Sequence, residues 1–114
     1  MSVFVSNITI PVGADFSQTF ILENTSDQIL NLTDYTAASL LKKHPESSKV
    51  AATFDVIFPA ARSTGQIKIS LGSSITSRLK PGRYCYDILV NDGDEITRIV
   101  EGSALVTAGV TTSI

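Results

Sequence analysis

Few side chains in this sequence can move a proton, attack a substrate or hold a metal. There is one histidine, one cysteine and no tryptophan. His44 stands in Lys43-His44-Pro45-Glu46, a polar turn in which a solvated imidazole is expected. Cys85 lies within a strand-like run and reads as a buried, inert thiol. A single cysteine forms no internal disulfide and fits a reducing compartment. Asp92, Asp94 and Glu95 surround Gly93, but their spacing is not that of an EF-hand loop. A solvated hairpin is expected there in place of a calcium site. No serine sits in a nucleophile-elbow pattern, and the seven glycines are scattered, so no phosphate-cradling loop forms. The expectation is a protein that is not an enzyme, with no catalytic, cofactor-binding or metal-binding residues.

The aromatic residues point to packing. Phe16, Phe20, Phe54, Phe58, Tyr84 and Tyr86 fall on apolar faces, and Tyr35 is expected to cover a sandwich edge. A base-stacking platform would need aromatics beside positive charge. The net charge is −2, and Lys42-Lys43, Arg62, Arg78, Arg83 and Arg98 form no stripe, which argues against nucleic-acid binding. No segment approaches the ~20 apolar residues of a bilayer span, so no membrane partner is expected. Met1 to Ile10 lacks the basic flank and apolar run of a signal peptide. Glycosylation-type triplets at Asn7, Asn24 and Asn31 are then chance matches. Charged residues make up 18% of the chain and hydrophobic ones 43%, a balance that suits a surface partly covered by a partner.

The elements that must position these groups alternate with a period of two, the strand signature. Phe16, Gln18, Phe20 and Leu22 share one face, with Ser17, Thr19 and Ile21 on the other. Ala52, Phe54, Val56 and Phe58 share a face, as do Ile67, Ile69 and Leu71. Arg83 to Val90 repeats the theme through Tyr84, Tyr86, Ile88 and Val90. Ile96, Arg98 and Val100 alternate with Thr97, Ile99 and Glu101, and Gly102 in mid-run predicts a bulge or bend. Weaker strands are expected at Val3–Ile10, Ile29–Leu32 and Ala37–Lys43.

Turn chemistry separates the runs. Asn91-Asp92-Gly93-Asp94 reads as a hairpin loop, Asn24 to Gln28 as a polar turn, and Pro59 with Ser63-Thr64-Gly65 as a break. A short helical turn is expected near 73–79, capped by Ser73 or Ser74, anchored by Ile75 and Leu79, and stopped by Pro81-Gly82. It would carry the chain from one sheet to the other. The pattern predicts an all-β, immunoglobulin-like β-sandwich of about seven to eight antiparallel strands. With no repeat or linker, residues 1–114 read as a single domain. The ends, Ser2–Val5 and Ala108–Ile114, are low in charge and rich in β-branched residues. They either fray or pair with a neighbouring subunit by strand addition, in which case deleting Val110–Ile114 weakens assembly.

Four stretches carry a family resemblance. They are Ile29-Leu30-Asn31-Leu32-Thr33-Asp34-Tyr35-Thr36-Ala37, the strand with Lys42-Lys43, Pro81-Gly82-Arg83-Tyr84-Cys85-Tyr86-Asp87-Ile88, and Arg98-Ile99-Val100-Glu101-Gly102 followed by Val106-Thr107 and Gly109-Val110-Thr111. In these the chain resembles short immunoglobulin-like β-sandwich virion proteins of tailed phages. More distantly it is similar to the N-terminal domain of phage baseplate upper proteins. It departs from them in stopping at Ile114 and in ending Thr112-Ser113-Ile114, where a basic residue is more common.

The resemblance implies a structural virion protein, made in the host cytoplasm. It would be a non-enzymatic assembly or adaptor module on the tail, baseplate or neck. Its partners would be other phage virion proteins, met as a homo-oligomer or a multi-copy symmetric assembly. The stand-alone length favours an adaptor role over receptor binding. A capsid decoration, or cement, protein is the alternative. A carbohydrate-binding module is a further one, which would need a row of exposed aromatics.

Overall fold

Alternation in the sequence becomes nine short strands and one α-helical turn in the computed structural model, which describes residues 4–23, 29 and 31–110. The strands are β1 (Phe4–Val5), β2 (Ile8–Pro11), β3 (Phe16–Ile21), β4 (Thr36–Lys42), β5 (Ala52–Thr53), β6 (Asp55–Ile57), β7 (Gln66–Leu71), β8 (Gly82–Asn91) and β9 (Ile96–Thr107). The helical turn α1 (Ser73–Thr76) lies between β7 and β8.

The larger sheet has the order β1-β9-β8-β4-β5, with β2 also paired to β9; the smaller has the order β3-β7-β6. This is an immunoglobulin-like sandwich of two facing sheets. The antiparallel expectation holds for every pairing but those of β1 and β2, which run parallel to β9.

The core fills the space between the sheets. Ile67, Ile69 and Leu71 of β7 face Tyr86, Ile88 and Val90 of β8, and all are buried. Burying each such side chain contributes roughly 1.5–3 kcal/mol. Phe54 ties the layers together: its ring packs 6.0 Å from Phe16 and 6.1 Å from Tyr86.

Phe54 also marks where one expected strand is divided. Ala52 and Thr53 pair with β4, whereas Asp55 to Ile57 pair with β7, so the chain changes sheets at Phe54. The inward positions of the 52–58 run are unaffected, because Ala52 and Phe54 are buried and Val56 and Phe58 half-buried.

Three further details differ from the sequence reading. The bulge lies one stretch away from Gly102. Ile88 pairs with Val100 but Leu89 pairs with Arg98, so Ile99 is the extra residue, and both Ile99 and Val100 turn inward. Gly102 instead allows a close approach: a Cβ there would sit 1.9 Å from the Ser6 carbonyl oxygen. The Ser6 amide donates to the Glu101 carbonyl at 2.9 Å, and the Tyr86 hydroxyl donates to the Ser6 carbonyl at 2.6 Å. This pins the break between β1 and β2 onto β9.

Second, α1 is capped by Gly72, not by a serine side chain, and the Ser73 amide donates to Asp15 Oδ1 at 2.7 Å. Its buried anchors are Thr76 and Leu79, while Ile75 stays 38% exposed. Thr76 Oγ1 accepts from the Gly13 amide at 3.1 Å and donates to the Ala14 carbonyl at 2.8 Å. The turn does carry the chain from the smaller sheet to the larger. Its exit is closed by the Tyr84 hydroxyl, which donates to the Lys80 carbonyl at 2.8 Å, a corner bond typical of immunoglobulin sandwiches.

Third, no strand spans the expected 29–32 stretch among the described residues. Ile29 forms one isolated bridge to Glu23, and Leu32 is buried in a turn that Asp34 completes at φ 66°. Asp34 adopts that left-handed conformation because aspartate tolerates it better than most residues. The polar turn read at Asn24 to Gln28 lies outside the described residues, as do Leu30 and Thr111 to Ile114.

Candidate interaction surfaces

The outer face of the larger sheet is set by the parity of β8. Tyr84, Tyr86, Ile88 and Val90 point inward, so Cys85, Asp87 and Leu89 must point out. Register places Leu40 and Glu101 on either side of Asp87, and Lys42 and Ser103 on either side of Cys85. With Val5 at the margin and Pro45 from the following loop, these residues line a shallow groove of about 680 Å³.

Arg98 crosses the middle of this face. Its Nε donates to Asp87 Oδ2 at 3.1 Å, and Nη1 lies 3.9 Å from Glu101 Oε2. Exposed pairs of this kind contribute about 0–1 kcal/mol, so they cover the apolar floor more than they hold the fold. Beneath them, Ser39 Oγ donates to the Asp87 carbonyl at 2.5 Å, which satisfies a buried hydroxyl.

Cys85 is half-buried on this face, in contrast to the fully buried thiol expected. Its thiol donates to the Lys42 carbonyl at 3.3 Å. Burial first, and the Asp87 charge second, push its pKa up. The group is therefore held as a thiol, the unreactive form.

The remaining candidate groups are placed apart. His44 is exposed in the turn after β4, where its carbonyl accepts from the Ser47 amide at 3.0 Å. The 91–94 hairpin forms as expected between β8 and β9, with Gly93 at φ 103°. Asn91 Oδ1 accepts from the Gly93 amide, and Asp92 Oδ1 accepts from the Asp94 and Glu95 amides at 2.9 and 2.8 Å. These bonds, that from Glu95 foremost, hold the Asp92 pKa down. They also turn the Asp92 carboxylate onto its own loop. Among the described residues no group of three or more His, Cys, Asp or Glu side chains gathers in a metal-binding arrangement.

Two aromatics sit under cations at the sandwich rim. Lys43 Nζ lies 4.7 Å from the Tyr84 ring centre, and the Arg62 guanidinium 4.2 Å from that of Phe58. Arg62 Nη1 also donates to the Tyr35 carbonyl at 2.7 Å, and Tyr35 is half-buried where the sequence placed it as an edge cover.

Large apolar side chains stay exposed on β1 and β9. Val5, Ile96 and Leu105 lie on the outer face of the larger sheet, with Val5 at 68% and Ile96 at 65% exposure, while Phe4 stands at the sandwich rim with its ring 6.4 Å from that of Phe20 in the smaller sheet. Of the sequence-proposed edge strands, Phe4 and Val5 lie at the rim of the larger sheet, paired on one side only. Ser2 and Val3 fall outside the described residues. Ala108 to Val110 follow β9 and belong to no strand. A second edge of the sandwich is β3, whose sequence from Phe16 to Leu22 carries no charge.

No protein-family model matches the chain, and no curated protein matches it. Among solved structures it is similar to the Lin-41 filamin domain, with TM-score 0.50, 19% identity, and 89% of this chain and 84% of that one covered. It also aligns with InlP from Listeria monocytogenes, with TM-score 0.49, 14% identity, and 90% of this chain but 26% of that one covered. A family 123 glycoside hydrolase from Clostridium perfringens aligns with TM-score 0.44 and 13% identity over 96% of this chain and 24% of that one. The filamin-domain likeness fits the two facing sheets, and the chain has an immunoglobulin-like β-sandwich fold.

Proposed function

We infer that this domain is a non-enzymatic assembly module, a structural protein of a tailed-phage virion carried in many copies on the tail, baseplate or neck. The observation that carries the reading is the set of exposed apolar side chains on the outer face of β1 and β9, Val5, Ile96 and Leu105. Exposed apolar surface beside a free sheet margin marks a protein-binding site. Neighbouring subunits cover this margin, and edge hydrogen bonds fix their orientation. A specific interface buries about 1,600 Å² in total, and repeated contacts around a symmetric particle add avidity. The resemblance of four stretches to short phage sandwich proteins supplies the setting.

Protein mass spectrometry of purified particles, separated into tail and capsid fractions, tests this. The domain is expected in the tail fraction in many copies. The double variant Val5→Glu, Leu105→Glu should fold but fail to enter particles, because both side chains are solvent-facing. Recovery in the capsid fraction would replace the tail reading with decoration of the shell. Absence from particles would overturn the assembly reading altogether.

A further inference from the structure

Among the described residues, nothing covers the outer edge of strand β3. The strand is six residues long, it pairs with β7 at every position without a bulge, and it is the outermost strand of the smaller sheet. From Phe16 to Leu22 it holds no charge and no proline. The other margins are shorter or interrupted. The β5 margin is two residues long, β6 is three residues long and begins at Asp55, and β1 and β2 are separated at Ser6-Asn7 and end in Pro11. Natural sandwiches blunt a long, flat, neutral edge unless it is used.

Hydrogen-bond parity says which groups that edge presents. The Leu22 amide donates to the Gly65 carbonyl at 2.9 Å, in the β3–β7 register. Antiparallel ladders alternate, so Phe16, Gln18 and Phe20 also aim their main-chain groups at β7. Ser17, Thr19 and Ile21 aim theirs outward. Among the described residues no other element bonds to these outward groups. The Ile21 side chain is 61% exposed beside them.

The geometry points to a second copy of this chain as the occupant, paired antiparallel through β3 about a two-fold axis at Thr19. Side-chain faces match across such a pair only when the axis passes through a residue. Centred on Thr19, the register joins Ser17 to Ile21 of the second copy, Thr19 to its own counterpart, and Ile21 to Ser17. All are hydrogen-bonded pairs formed by the groups the edge leaves free. The uncharged strand brings no like charges opposite one another within its length. Each Ile21 gains cover from the facing strand, and the two smaller sheets become one continuous sheet. Asp15 and Glu23 meet beyond the strand ends, so added salt strengthens the pairing. This deepens the assembly reading and rests on it, by naming a contact between copies.

Analytical ultracentrifugation across a concentration series tests the proposal. The purified protein is expected to dimerise. Thr19→Lys, whose side chain faces solvent in the single copy, should be monomeric at the same concentrations with an unchanged circular dichroism spectrum. Thr19→Glu should behave alike, and mixing the two variants should restore dimers. Thr19→Cys in a Cys85→Ser background should cross-link on oxidation, since facing Cα atoms ~5.5 Å apart suit a disulfide. A wild-type monomer at every soluble concentration overturns the proposal. So does a dimer that survives both charge variants, which would lie on another face. A monomer whose β3 amides become protected only with a different virion protein assigns the edge to that protein, and also overturns it. Any of these results leaves the particle test above standing on its own.

Discussion

A methyl group at Gly102 would collide with the Ser6 carbonyl oxygen, which is backbone and held by the Tyr86 hydroxyl. Gly102→Ala must therefore push the β1–β2 break off β9, at a cost of about 1–3 kcal/mol, as overpacking usually does. Urea unfolding measures the cost, and hydrogen exchange should show faster exchange at the Ser6 amide. Wild-type stability would mean the close approach is absent. Asp92 offers a pH test. Its pKa is lowered in the fold by amide bonds from Glu95 and Asp94. A depressed carboxylate stabilises the fold fully above its unfolded pKa and loses that effect as pH falls through the folded one. The hairpin should thus hold at neutral pH and loosen only below the ordinary aspartate range. The amide shifts of Asp94 and Glu95 should titrate with a midpoint below that of a free aspartate peptide. A midpoint at or above it would contradict the bonding.

At the scale of elements, α1 is held by a side chain that the apolar pattern hides. Thr76 is fully buried and bonds both Gly13 and Ala14 in the turn before β3. Thr76→Val keeps the shape but leaves the Gly13 amide without a partner, which costs about 1–3 kcal/mol. Thermal melting of the variant measures this; an unchanged melting point would mean water replaces the hydroxyl. The sequence points to Ile75 as an anchor because apolar spacing does not register a buried hydroxyl such as that of Thr76. Strands with strict alternation, such as Ile67-Ile69-Leu71, were fully legible, since each side chain's face follows from parity. The passage between β5 and β6 was not, because Phe54 turns inward whether the strand stays in one sheet or crosses. The Ile99 bulge was masked by its neighbour Val100, as either residue suits the core. The face of Cys85 was legible from Tyr84 and Tyr86, which flank it and both point in. The parallel pairing of β2 with β9 depends on contacts almost the whole chain apart, which no local pattern encodes.

For the whole molecule, stability rests on contact between the sheets, and Phe54 stands between Phe16 of one and Tyr86 of the other. Phe54→Ala should cost roughly 3–5 kcal/mol by chemical denaturation, and a change near zero would mean the layers are joined elsewhere. Outside the core lie exposed apolar residues on β1 and β9, a neutral β3 edge with no partner on its outer side among the described residues, and a groove crossed by Arg98. Those are the features on which the proposed assembly role rests. A high-resolution map of the intact particle tests that claim most directly. The account predicts repeated copies at a symmetric site, with the β1–β9 margin covered by an adjacent subunit. A map in which every copy leaves that margin open to solvent would contradict it.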